Sequence, residues 1–519
     1  MISVCGKLIR NKILCKVKQA RFFSIIADEA TDASNTEQLS ISVRFVDKDG
    51  ALCEQFLCFH ACETGLTGEA IAQNILSKLN DWELEPEFLR GQAYDGAGAM
   101  AGQSKRAAVC IVSKFPKAIY THCASHRLNL CVMKCCDIRE VSNMMQTADA
   151  IARFFKNSPK RQLALEKWIE DILAGEKRKK VKEMCRTRWV ERHNAFEVFC
   201  DLFLPIFCCF ESIAGSSGSE WNRETRSDAQ SFLLAMSQFS FIVTLVTTQS
   251  VLAYTKGLSV KLQGPYVDVA RAHHEITYLK ETLKKVRSDV NTFHSRIHGQ
   301  TMVIAQSVDV EENLPRLASR QQHRQNILAS NCNDYYRLNL TIPLLDHLIH
   351  EIESRFEESS SQTIMEFVSF LPSMISSSHS VTDRERFQSI LKLYGDDLPS
   401  AVSFDAELEM WQQHWEIDHD LAAQLNTPEK ALPHADCDFY PNIHVLLSIM
   451  ATLPVTSCEC ECSAISLLRL LKTSLRSSMG QERLNGLALL HSHQDTCNLT
   501  PEEVVDEFSH CHPRRMTLN

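Results

Sequence analysis

The first residues able to do chemistry are Asp28, Glu29 and Asp32, where the apolar run Phe22-Phe23-Ser24-Ile25-Ile26-Ala27 ends abruptly in carboxylates. A run of that length, rich in β-formers and bounded by polar residues, reads as a strand buried on both faces. A carboxylate at the end of a dry strand is costly unless a cation or hydrogen bonds compensate it. Two uses fit: Asp28 binds a metal ion, or the three acids cap the strand and start a turn. A second short apolar stretch, 89–94, ends at Asp95 and runs into Gly96-Ala97-Gly98-Ala99-Met100-Ala101-Gly102. Glycines there let a backbone or ligand come close, so Asp95 either joins Asp28 at a common edge or caps a following helix.

Two further clusters stand out. Cys123 and His126 have a spacing compatible with two zinc ligands. A structural zinc site needs four, and Cys131, Cys135 and Cys136 are available, but two adjacent cysteines fit no finger spacing. The competing reading is an ordinary structural Cys and His. Lys177, Arg178, Lys179, Lys180, Lys182, Arg186 and Arg188 form the densest basic cluster and end at Trp189. Cations beside an aromatic suit a phosphate-tracking groove with a base-stacking platform. They equally suit a solvated helix end with Trp189 in the core.

The elements that must position these residues follow from periodicity. Leu39 to Val46 alternates apolar and polar residues, 47–50 reads as a turn, and 54–59 as a third strand, giving an antiparallel meander. Thr67 caps a predicted helix with Ala70, Ile71, Ile75, Leu76 and Leu79 on one face. If 89–94 pairs in parallel beside the first strand, that helix is the crossover and Asp28 and Asp95 share the carboxyl edge, where open sheets place their sites. Residues 118–122 read as a further strand. From 141 to 349 the pattern is helical, with loops expected at 215–219, 357–362 and 376–380, and no clear periodicity over 300–324. Trp411 and Trp415, one helical turn apart, suit core packing.

Leucine dominates 444–493. Leu467, Leu468, Leu471 and Leu475 exceed what one contact face needs, so a second burying surface is expected, and a self-complementary one favours a symmetric homodimer. The alternative is a leucine-rich core helix in a monomer. Composition sets the outer bounds. The 519 residues are 44% hydrophobic, enough for two to four domains with real cores, and a net charge of -9 excludes coating nucleic acid by bulk charge. The 21 cysteines, with no signal peptide, read as reduced thiols of a soluble intracellular protein with no membrane association.

Taken together, the motifs resemble those of the hAT-superfamily DNA transposases and the host proteins derived from them. The matching pieces are Asp28-Glu29-Ala30-Thr31-Asp32, Tyr94-Asp95-Gly96-Ala97, Cys123 to Leu130, Cys185-Arg186-Thr187-Arg188-Trp189 and a block beginning Leu453-Pro454-Val455. Within the family the likeness is to the group of transposase-derived repressors and MYM-type zinc-finger proteins. The resemblance implies an α/β fold: an RNase H-like mixed sheet interrupted by a large all-helical insertion, with a helical C-terminal dimerisation block. The implied bounds are 1–138 for the first part of the core, 139–400 for the insertion, 401–495 for the dimerisation region and 496–519 for a tail.

It further implies a D-D-E triad of Asp28, Asp95 and Glu461 holding Mg²⁺, a hard ion suited to carboxylates, and a base-stacking role for Trp189. The chain departs from the family at two points. Glu461 is followed by Cys462 where the family has Arg, which removes a rigid charged fork, and Glu459 is a register alternative. The zinc-finger module usual ahead of the first strand is also expected to be missing. The implied protein is a dimer or higher oligomer acting in the nucleus, and also in the cytoplasm, as an interaction or regulatory factor that binds protein partners and DNA. An Mg²⁺-dependent transposase and a catalytically dead remnant are the alternatives.

Overall fold

The computed structural model describes residues 1–62, 65, 67–94, 107–178, 180–183, 189–216, 220–262, 269–315, 329, 331–357, 362–377, 387–454, 464–494 and 498–511. Among them is one mixed five-stranded sheet in the order β3-β2-β1-β4-β5, with β1 Phe23–Thr31, β2 Glu37–Val46, β3 Leu52–Ala61, β4 Leu89–Tyr94 and β5 Ile119–His122. β1, β2 and β3 form the antiparallel meander, and β4 and β5 continue the sheet in parallel beside β1.

Local chemistry explains the reversals. In the β2–β3 turn, Gly50 sits at φ 78°, a conformation open to a residue without Cβ, while Asp47 Oδ1 accepts from the amides of Asp49 and Ala51 at 3.0 and 2.9 Å. Helix α2, Gly68–Asp81, is capped by Thr67, whose Oγ1 accepts from Ala70 N at 3.2 Å, and buries Ile71, Ile75 and Leu79 as its periodicity predicts. It carries the chain from β3 across to β4. The first helix, α1 (Ile2–Ala20), was not foreseen: its apolar residues Val4, Ile9, Ile13 and Val17 recur every four or five positions between lysines and are buried.

The chain divides into two compact units. One comprises residues 1–127, 262–274 and 358–519, the other 128–261 and 275–357. In the first, one face of the sheet packs Phe23, Ile25, Ala27, Ile41, Val43 and Phe45 against α1, α2, α3 (Ala107–Lys114) and two helices from the far end of the chain, α6 (Ile465–Leu471) and α7 (Gln481–Ser492). α5, Pro441–Thr452, contacts β1, β2 and β4. The return to this unit at 358 precedes the expected 401. Phe370 stacks on Phe387 with ring centroids 4.2 Å apart and accepts from the fully buried Trp411 through its carbonyl at 2.9 Å, which ties 362–377 and 387–398 to α4 (Phe404–Ile417). Trp411 and Trp415 are core residues, as their spacing suggests.

The second unit is helical. Its aromatic core brings Phe155 and Phe210 to 5.2 Å and Phe210 and Phe232 to 5.4 Å. Val290–Ser307 is helical through the first part of the stretch expected to lack periodicity. His294 on that helix is buried: its Nε2 donates to the Asn333 carbonyl at 2.9 Å, which leaves Nδ1 to accept from Thr341 Oγ1 at 2.8 Å. Among the described residues no single helix is long and apolar enough to cross a membrane.

Candidate functional site

β1 delivers Asp28 near its carboxyl end. The parallel register pairs Ser24 with Gly91, Ile26 with Ala93 and Ala27 with Tyr94, the last residue of β4. Phe23, Ile25 and Ala27 enter the core described above, so strand alternation turns Ser24, Ile26 and Asp28 to the opposite face. Asp28 is 3% exposed. Its Oδ1 accepts from Glu29 N at 2.9 Å, and Ser40, opposite it on β2, donates to its carbonyl at 3.1 Å.

The same face receives the end of α5 and the residues after it. Arg44 Nε donates to the Ala451 carbonyl at 3.1 Å while its guanidinium pairs with Glu54 at 3.1 Å, both side chains buried. At Gly91 there is no room for a Cβ: one would lie 2.5 Å from Ser24 Oγ, 2.8 Å from Pro454 Cδ and 3.1 Å from Leu453 Cδ2. Thr121 on β5 donates to the Pro454 carbonyl. The chain therefore lies against β4 and β5 up to residue 454. It is described again from Ala464, which is buried in the core. Asp95 and Glu461 lie outside the described residues, so of the three expected metal-binding carboxylates the structure places Asp28.

Asp32 has a different role from Asp28. Lys472 Nζ is 2.6 Å from its Oδ2 with both side chains buried, and Ser34, Thr36 and Gln38 donate to it at 2.6 to 3.1 Å. Burial raises its pKa, but the bond from Lys472 and those from Ser34, Thr36 and Gln38 outweigh it and hold the carboxyl well below its usual range. Asp32 thus ends the strand and anchors the far end of the chain.

Sequence reasoning missed the side chains that extend this anchor. Gln38 Nε2 donates to Gln481 Oε1 at 3.2 Å and Gln481 Nε2 donates to Gln38 Oε1 at 3.0 Å. Gln481 Nε2 also donates to the Phe59 carbonyl at 2.8 Å, and Asn485 accepts from Phe59 N at 2.7 Å and donates to Phe59 O at 3.0 Å. His493 Nε2 donates to the Phe56 carbonyl at 2.9 Å. Phe56 and Phe59 belong to edge strand β3, whose open backbone groups are thereby covered by α7. Amides four residues apart at 481 and 485, beside a leucine-rich segment, were the available signal.

Of the leucines expected to self-associate, Leu467, Leu468 and Leu471 are 5%, 1% and 8% exposed and pack in the same core as the strands, which removes them from any surface. The helix of which they are part needs that face to cover the sheet. Leu475 is 96% exposed and Leu470 is 59% exposed.

In the basic cluster Lys180 and Lys182 are exposed on either side of buried Val181, while Arg178 pairs with Asp201 at 2.6 Å and with Glu176. Lys179, Arg186 and Arg188 lie outside the described residues, as does the side chain of Trp189, whose backbone opens the helix Trp189–Asp201. Cys123 precedes the helix Ala124–Cys135 and accepts from His126 N at 3.4 Å through its buried sulfur, the arrangement of a helix start. Among the described residues no group of three Cys, His, Asp or Glu is placed to hold a metal ion, so the Cys123 and His126 pair gains no further ligand there.

The two halves of this arrangement match known families separately. The family described as ZMYM1/FAM200, RNase-like domain, matches residues 1–105, and the hAT family C-terminal dimerisation region matches residues 433–496. The chain thus carries an RNase-like domain and a hAT family C-terminal dimerisation region. It is 30% identical over 499 residues to the human protein named 52 kDa repressor of the inhibitor of the protein kinase, covering 95% of this chain and 64% of that one. The mouse protein of the same name is also 30% identical over 499 residues, with 65% of its length covered. The chain spans just under two thirds of the length of these relatives. In it, the RNase-like sheet and the dimerisation region are parts of one structural unit.

Proposed function

We propose that this chain is a self-associating, transposase-derived regulatory factor that acts in the nucleus, holds protein partners and touches nucleic acid through its basic segments. The observation that carries the reading is the closure of the RNase-like sheet by the dimerisation region through Lys472, Gln481 and Asn485. This makes a rigid core from which Leu470 and Leu475 project. The relatives' name, a repressor of an inhibitor of a kinase, supports a regulatory task. Light scattering at micromolar concentration tests it: a dimer that becomes a monomer on Leu475→Glu supports the reading, and a monomer of the unaltered chain overturns it.

A second reading is strand cleavage and transfer with Mg²⁺. It is favoured by the register of β1 and β4, which brings Ala27 opposite Tyr94, the residues just before Asp28 and Asp95. A buried carboxylate at a strand end is the donor type that Mg²⁺ takes, and Asp28 with Asp95 and Glu461 would hold it. The ion would neutralise charge on the attacked phosphodiester. Mg²⁺-dependent nicking of DNA that disappears in Asp28→Asn supports this reading, and nicking that survives it rejects the assignment.

A further inference from the structure

The final described helix, α8 (Pro501–Cys511), has no buried residue, yet it is docked on α1. The two helices are opposite in charge. α1 carries Lys7, Arg10, Lys12, Lys16 and Lys18 and no acid, whereas α8 carries Glu502, Glu503, Asp506 and Glu507 and neither Lys nor Arg. Lys7 Nζ lies 2.7 Å from Glu507 Oε1 and Lys12 Nζ 2.9 Å from Glu503 Oε2, which sets the helices antiparallel. Lys12 also donates to the Asn498 carbonyl at 3.0 Å. Glu503 is preset for this contact: it accepts from Thr500 N at 3.0 Å while its own N–H donates to Thr500 Oγ1 at 3.2 Å, a reciprocal cap. Half-buried Val504 and Phe508 share the inner face with the two glutamates.

A helix held mainly by exposed ion pairs is weakly held, because such pairs are screened by salt and each contributes little. The cationic face also continues beyond α8. Next to it, between α1 and α2, is an open hollow of about 870 Å³ lined by Lys7 and Arg10 and by the ion pairs Lys18–Glu83 and Lys78–Asp81, at 2.9 and 2.8 Å. On this side of α1, Arg10 is the cation that neither α8 nor Glu83 pairs in the contacts described.

We propose that α8 is a displaceable strap and that α1 is a docking helix for an acidic amphipathic helix of a partner protein, which binds where the strap now lies. The required ligand has glutamates four residues apart and an apolar pair beside them, since that is the pattern α1 already holds. Nothing in this proposal depends on the carboxylates of the sheet edge.

The test uses the full chain with Glu503→Lys and Glu507→Lys, which repel the strap, and a labelled peptide with the sequence of residues 498–511. Hydrogen exchange of 498–511 is expected to rise in the variant while the sheet stays protected. The peptide should bind the variant about tenfold more tightly than the unaltered chain, the loss of two exposed ion pairs, and lose affinity as salt increases. Lys7→Glu with Lys12→Glu in the same chain should restore strap protection and abolish peptide binding. A strap equally protected in the Glu503/Glu507 variant overturns the proposal, as does a freed strap with no peptide binding. Preferential binding of a short mixed-sequence DNA duplex over the peptide would overturn the acidic-helix assignment.

Discussion

Lys472 and Asp32 stand 440 positions apart in sequence and meet as a buried ion pair, with Nζ 2.6 Å from Oδ2. Removing one partner of such a pair strands the other charge. Lys472→Met is expected to cost about 3–5 kcal/mol in urea unfolding, while the double change with Asp32→Leu should recover most of it. Because the Asp32 carboxyl is held below its usual value of 3.8, the unfolded state binds its proton first on acidification. Its stabilisation is complete above that value and is lost as pH falls below it. Asp32→Asn should flatten this acid limb.

Leu468 and Leu475 allow folding and the proposed assembly to be tested separately. Leu468→Ala, in the core, should destabilise by about 2–5 kcal/mol and lower the melting temperature without a specific effect on association. Leu475→Glu, on the surface, should leave melting unchanged and reduce the mass measured by light scattering.

Gly91 is confined by Ser24, Leu453 and Pro454. Gly91→Ala should destabilise by about 1–3 kcal/mol through overpacking, measured by urea unfolding. A neutral result would mean that the segment at 453–454 can withdraw from the sheet.

His294 is neutral in the folded state because burial lowers its pKa from 6.5 to about 4. Since the folded pKa is depressed, its contribution is complete above 6.5, where both states are neutral, and declines as pH falls toward 4, where the unfolded state alone is protonated. Hydrogen exchange in 290–307 should quicken across that window, and His294→Gln should remove the dependence.

Thiol reactivity gives a fold-sensitive readout. Cys15 is exposed, whereas burial pushes the Cys58 thiol up to about 12. Alkylation at neutral pH should label Cys15 and spare Cys58 until the sheet unfolds.

Much of the first unit was legible in the sequence. Alternation gave β2, Thr67 marked the start of α2, and the two apolar stretches ending at Asp28 and Asp95 gave the parallel pair, because strand period and capping are local signals. α1 was missed because lysines interrupt its apolar stripe at every turn. The leucines were read by type and not by destination: Leu468 and Leu475 look alike in sequence, and only the sheet decides which is covered. The network of Gln38, Gln481 and Asn485 was illegible because contacts across such separations leave no periodicity.

The cover that α7 places over β3 also dictates when the sheet can be finished. During synthesis the ribosome delivers all five strands hundreds of residues before Gln481, Asn485 and His493 exist. Until then a nascent chain displays an open strand margin and an apolar face, the surface that chaperones hold and that aggregates recruit. Any transcript or stop codon that ends the chain ahead of α7 would yield a product permanently in that state, to be degraded and not merely deprived of a partner.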